Sequence, residues 1–221
     1  MKYLRKYETE ADIDIDVTPN VVLVNDTKKV LYNYIPPLPL GVFIQHVDGK
    51  LYTTDEWTAK GFANSEANGV AVNAKECGFV ISKTSLGFMC WSSDTSNEVA
   101  GILTASIKSV ALTDFAGQEN TALMLATDTN KAGYTCANYT FPNGEKGYLP
   151  ALGEWKTAHA NKAAIGEAMN LIGGTALDNN YYWSSTQYSA SGAWFLSWND
   201  GSADGNSKYG DGYVRAFCPI R

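Results

Sequence analysis

The sequence predicts an α+β fold: one sizeable domain carrying a short β-rich segment at its N-terminus. Three features carry this expectation. β-Branched runs separated by turn residues fill the first half, an amphipathic helical repeat follows Pro150, and glycine-punctuated short strands run from Gly174 to the C-terminus. At 221 residues, 45% hydrophobic and 18% charged, the chain can bury a core of ordinary size.

The first 37 residues are set apart as an N-terminal segment with a stiff linker. Ile13, Ile15 and Val17 alternate with aspartates, and Val21 to Val24 reach Asn25-Asp26 before Val30-Leu31-Tyr32, a pattern of short strands and a hairpin. Pro36-Pro37-Leu38-Pro39 then fixes the backbone in extended geometry. The main domain, 38–221, opens with a second hairpin, in which Val42-Phe43-Ile44 turns at Asp48-Gly49 into Leu51-Tyr52-Thr53. A strand is expected over 78–82 and an aromatic patch over Phe88 to Trp91. One helix is expected near Asn120 to Ala126. A longer one opens after Pro150, where Trp155, Ala158, Ile165, Met169 and Ile172 recur at helical spacing, and it stops at Gly173-Gly174.

Charge and cysteine usage narrow the function classes. A formal charge of −6 and a pI near 4.9 disfavour a nucleic-acid backbone or an anionic membrane as partner. The sequence has no run of apolar residues long enough to span a bilayer, so no membrane insertion is expected. Met1 to Glu10 is charged throughout, so no signal peptide is read there, and the chain is expected to stay in the cell where it is made or to leave it by another route. Cys77, Cys90, Cys136 and Cys218 show neither CxxC spacing nor paired histidines. No metal is expected on them; they read as buried free thiols, with one or two disulfides open if the protein works outside a cell.

The stretch from Asn179 to Tyr213 is unusual. Its 35 residues include seven Ser, five Gly, five Tyr, four Asn and three Trp, and Leu196 is its one aliphatic side chain larger than alanine. Such a stretch cannot build a core alone, yet its aromatics argue against a disordered tail. Tyr and Trp offer large contact area with few rotatable bonds, while Ser, Gly and Asn give adaptable hydrogen bonds, the chemistry of a binding surface. The bland alternative is a glycine-rich meander whose aromatics complete the core. In Ala193 to Asn199, strand alternation sends Trp194, Leu196 and Trp198 inward and leaves Phe195, Ser197 and Asn199 to meet a ligand.

Gly147-Tyr148-Leu149-Pro150-Ala151-Leu152-Gly153-Glu154-Trp155, Tyr182-Trp183-Ser184-Ser185-Thr186, Ala193-Trp194, Asp200-Gly201 and Tyr213-Val214-Arg215-Ala216 follow one another in an order that carries a family resemblance. The chain resembles the C-type-lectin-fold variable proteins of diversity-generating retroelements, from about Gly41 to Arg221 and most strongly over the last 75 residues. Its N-terminal part is similar to the short leader on such proteins in Bacteroides-type prophages. The resemblance implies a C-type-lectin-like fold with two helices, antiparallel strands and long irregular C-terminal loops. It also implies ligand or receptor recognition by a diversified surface in phage-tail or cell-surface adhesion.

In that family AAC codons become NNC codons, which cannot encode Trp, Gln, Met, Lys or Glu. Residues matching the diversified slots are Tyr181, Ser189, Ser191, Gly192, Phe195, Ser197, Asn199, Ser202, Asp204, Asn206, Ser207, Gly210, Asp211 and Gly212; Tyr209 joins them as an aromatic ligand contact. Trp183, Trp194, Leu196, Gly201, Lys208 and Arg215 match the fixed scaffold. The implied partner is a protein or glycan receptor on a target cell surface. Residues 1–37 would anchor the chain in a phage or surface assembly, and a homo-oligomer is open.

Other readings are weighed beside this one. Trp198-Asn199-Asp200 spells a motif of calcium-dependent carbohydrate-binding lectins, the alternative function, but the Pro-Asn loop that belongs just upstream is missing; Pro142-Asn143 lies beyond the long helix. An enzyme of the formylglycine-generating type would need a placed cysteine pair, which the sequence lacks. No catalytic residue and no cofactor are therefore expected. His46 and His159 read as structural, and Glu154 as a charge favouring a helix N-terminus. Lys208 and Arg215 read equally as ligand contacts or as partners in internal salt bridges.

Overall fold

In the computed structural model the described residues are 38–126 and 129–220, with the backbone alone for three strands within the first 37 residues. The chain forms two compact units, Met1–Pro39 and Leu40–Arg221. In the first, β1 (Leu4–Tyr7), β2 (Val21–Leu23) and β3 (Leu31–Tyr34) make an antiparallel sheet in the order β1-β3-β2. The antiparallel β2–β3 pair matches the expected hairpin. The Ile13, Ile15 and Val17 alternation, the Asn25-Asp26 turn and Pro36-Pro37 lie outside the described residues.

The second unit is α+β, built around two five-stranded sheets. One sheet is antiparallel and runs β13-β7-β6-β4-β5, with β4 at Gly41–His46, β5 at Leu51–Tyr52, β6 at Ala67–Asn73, β7 at Gly78–Ser82 and β13 at Phe217–Pro219. The expected Asp48-Gly49 turn joins β4 to β5, with Gly49 at φ 91° and its N–H donated to the His46 carbonyl. The other sheet runs β11-β10-β9-β12-β8, with β8 at Phe88–Cys90, β9 at Tyr181–Gln187, β10 at Gly192–Ser197, β11 at Ala203–Ser207 and β12 at Asp211–Tyr213. It is mixed, because β12 pairs parallel with β9 through Tyr213 and Tyr182.

The described residues hold six α-helices where two were expected: α1 (Thr54–Lys60), α2 (Lys108–Ala111), α3 (Gly117–Met124), α4 (Lys131–Asn138), α5 (Leu152–Ala160) and α6 (Lys162–Leu171). α1 follows from local chemistry, since Thr53 and Glu56 form a reciprocal capping box and Gly61 closes the helix at φ 68°. The long helix breaks into α5 and α6 at Asn161, whose side chain donates to the Thr157 carbonyl at 2.9 Å and competes with the helical pattern. It ends as expected: Gly173 has φ 65°, and the Gly174 N–H reaches back to the Met169 carbonyl at 2.9 Å.

Two apolar clusters hold the unit together. One gathers Trp155, Ile165 and Met169 of α5 and α6 with Ile44, Val70, Phe79 and Phe217 of the antiparallel sheet and Tyr182, Trp194, Leu196 and Trp198 of the mixed sheet. The other gathers Trp91, Met124, Cys136, Phe141, Trp183 and Val214. None of the four cysteines is in a disulfide; Cys136 and Cys218 are buried and Cys77 and Cys90 partly so. Burial pushes the Cys77 thiol up to about 11, which leaves it a poor nucleophile.

Candidate functional site

The mixed sheet displays the C-terminal segment, and its buried indoles fix the strands. Trp155 donates to the Trp183 carbonyl at 3.0 Å and Trp91 to the Ser184 carbonyl at 2.7 Å, so β9 is held at two successive peptides. Trp194 donates to the Ala105 carbonyl at 2.7 Å and Trp183 to the Met89 carbonyl at 3.0 Å. Each indole N–H thus has a backbone acceptor, as a buried donor requires.

Alternation along β10 divides its residues as expected. Trp194, Leu196 and the following Trp198 enter the first cluster, while Phe195 lies on the opposite face, directly across from Trp183 on one side and Asp204 on the other. There Tyr181, 52% exposed, meets Phe195 edge to face with ring centroids 4.6 Å apart. Tyr181, Trp183, Phe195, Gly205, Asn206, Asp211 and Gly212 surround an open trough of about 310 Å³. Gly212 permits this floor, since a Cβ there would stand 2.8 Å from Trp183 Nε1. Gly205 is required for a related reason: the Tyr188 ring lies where its Cβ would be.

Of the residues read from sequence as ligand contacts, Tyr181, Phe195, Asn206, Asp211 and Gly212 line the trough. Asp204 is exposed on the same face, beside Phe195. Ser189 and Ser191 occupy the β9–β10 turn, next to the Ser207, Tyr209 and Gly210 turn, and the Lys208 N–H bonds the Ser191 carbonyl at 2.9 Å. Asn199 and Ser202 are exposed at the opposite end of β10, so the structure does not bring them to the trough. Three placements correct the exposed-surface reading, since Gly212, set against the Trp183 indole, is itself buried. Ser197 is buried because its N–H closes the β10–β11 turn onto the Ser202 carbonyl, and Gly192 is buried under Asn206, Ser189 and Tyr188.

Lys208 and Arg215 are both buried, and among the described residues neither stands in a salt bridge; each bonds uncharged acceptors instead. Lys208 Nζ donates to Gln187 Oε1 at 2.8 Å and the Asn97 carbonyl at 3.0 Å, 4.8 Å from the centre of the Trp91 ring. Arg215 donates to the Ser82 and Thr175 carbonyls, and burial lowers its pKa to about 10. The sequence could not show this, because the oxygens that receive these cations come from chain segments far from either residue.

The loop after β10 is also held from behind. Lys162 Nζ lies 2.6 Å from the Trp198 carbonyl and 3.1 Å from that of Asn199, and Lys156 Nζ reaches the Gly201 carbonyl at 2.9 Å. Asp200 Oδ1 accepts from the Ser202 N–H at 3.0 Å and its hydroxyl at 2.8 Å; the Ser202 N–H is the main cause holding its carboxyl down at about 2. His159 packs its ring on Trp198 and Gly201. Glu154 is buried and accepts from Tyr148 Oη and the Ala151 N–H, both at 2.8 Å. Burial pushes it up to about 7, so hydrogen bonding rather than a full charge caps α5. Among the described residues no three His, Cys, Asp or Glu side chains gather as a metal-holding set, and no helix is long and apolar enough to cross a membrane.

Comparison with known proteins yields fold information alone. No family model and no curated protein matches the chain. Among solved structures, the fold is similar to that of a fimbrial protein from Bacteroides ovatus ATCC 8483, with a TM-score of 0.60 at 16% identity. The match covers 81% of this chain and 48% of the other, so this chain spans about half the length of that protein and shares its α+β architecture.

Proposed function

We propose that this chain is a surface recognition protein of an adhesive assembly, binding its receptor through the trough face of the mixed sheet. The observation that carries the reading is the trough itself, where exposed and half-buried aromatics and two polar side chains converge on a floor locked by buried indoles. A rigid platform with adaptable polar groups suits binding of a protein or glycan on a target cell. A lining without histidine, cysteine or serine suits binding rather than catalysis. The fimbrial name of the structural neighbour supports an exported, adhesive setting, and the Met1–Pro39 unit is then the attachment to a larger assembly.

The finer reading is a C-type-lectin-like scaffold of the diversity-generating type. The motif order from Gly147 to Ala216 supports it, as does the small-polar and aromatic character of the matched slots. A near-copy of the gene's 3′ end beside a reverse transcriptase gene would support that class, and its absence from the locus would remove the diversification part.

The recognition reading is tested with labelled protein on arrays of bacterial surface glycans and on intact Bacteroides cells. Tyr181→Ala with Phe195→Ala should abolish binding while the melting temperature moves by only a few degrees. A folded double variant that binds like the parent chain would overturn the proposal.

A further inference from the structure

We propose that the trough takes an arginine side chain from an exposed loop of a partner protein, stacked on the Tyr181–Phe195 pair and forked onto the Asp211 carboxylate. This rests on the reading of the trough as the binding face and adds the chemistry of its occupant. Asp211 is exposed on the trough rim, and among the described residues it stands in no ion pair. Asp204, on the same face, accepts a hydrogen bond from its own neighbour Gly205 and is likewise in no ion pair. Lys208 is the one basic residue between Asn179 and Tyr213, and its buried ammonium is turned away to Gln187, Asn97 and the Trp91 ring. The face therefore presents carboxylates without an internal counter-ion.

The apolar part of the trough selects among cations. The indole N–H of Trp183 is committed to the Met89 carbonyl, so this indole has no donor to give a ligand. Tyr181 and Phe195 present aromatic surface above it. A planar guanidinium can stack on such rings, lay its methylene stem against them and still donate two parallel bonds to a carboxylate; an ammonium cannot do all three. Asn206 at the rim can complete the ring of donors and acceptors around the peptide that carries it. An anionic ligand would meet uncompensated like charge.

The test uses the full chain, labelled with nitrogen-15, and three probes followed by amide chemical shifts. These are an end-blocked Gly-Gly-Arg-Gly-Gly peptide, the same peptide with citrulline for arginine, and free glucose, galactose and mannose. The arginine peptide should shift amides on β9 to β12 around the trough, and citrulline should weaken binding by about ten-fold or more. Asp211→Asn should weaken the arginine peptide by a similar factor at unchanged melting temperature, and added salt should weaken it further.

Equal binding of the two peptides, no effect of Asp211→Asn, or a sugar bound more tightly than the peptide would each overturn the arginine assignment. In those cases shifts confined to the trough would leave the recognition face standing. If no probe moves the trough amides, the arginine assignment fails; whether the recognition face fails with it is read from cell binding by the Tyr181→Ala, Phe195→Ala chain.

Discussion

The Lys208 ammonium donates to the Gln187 side-chain carbonyl at 2.8 Å inside the protein, although Lys208 sits between the exposed residues Ser207 and Tyr209. Gln187 in turn accepts from the Val99 N–H and donates to the Val99 carbonyl and the Thr104 hydroxyl, so one amide ties the 97–104 loop to the display turn. Gln187→Ala should remove one of the two hydrogen bonds to the buried ammonium, together with the ties to Val99 and Thr104, and cost about 2–3 kcal/mol. Tyr209→Ala, 71% exposed in the parent, should stay within about 0.5 kcal/mol. Chemical denaturation of the two variants checks the contrast.

Glu154 makes stability depend on pH. Burial raises its pKa from 4.5 to about 7, so the folded chain holds this proton more tightly than the unfolded one. Its contribution is fully present below about 4.5 and is lost as pH rises through about 7, a fall of roughly 3 kcal/mol at about 1.4 kcal/mol per unit. Glu154→Gln can accept from Ala151 and donate to the Tyr148 oxygen, so it should remove this fall. Urea midpoints measured from pH 4 to 8 for both chains would show it.

Two glycines should respond oppositely to alanine. Gly201 has φ 71° and the His159 ring lies where its Cβ would be, so Gly201→Ala should cost about 2–4 kcal/mol. Gly166, within α6, has open space around its Cβ position, and Gly166→Ala should stabilise by about 0.5–1 kcal/mol. Thermal melts in one buffer suffice.

Calcium should leave the melting temperature unchanged. The carbonyls of Trp198 and Asn199 already face the Lys162 ammonium, and the Asp200 carboxylate is tied to Ser202. A cation binding there would have to displace a lysine. A calcium-dependent rise reversed by chelator would restore the lectin alternative.

The sequence by itself determined the local elements: the Asp48-Gly49 hairpin, the Gly173-Gly174 helix stop, and the inward Trp194, Leu196 and Trp198 of β10. Each depends on φ restrictions or on period-2 alternation, which neighbours in the chain impose. Tertiary structure alone decided the rest. It buried Ser197 and Gly192, carried Lys208 and Arg215 inward to distant carbonyls, and gathered Asn206 and Asp211 beside Tyr181 and Phe195 while leaving Asn199 and Ser202 at the far end of β10. Those outcomes depend on strand order and on partners tens of residues away, and composition fixes neither.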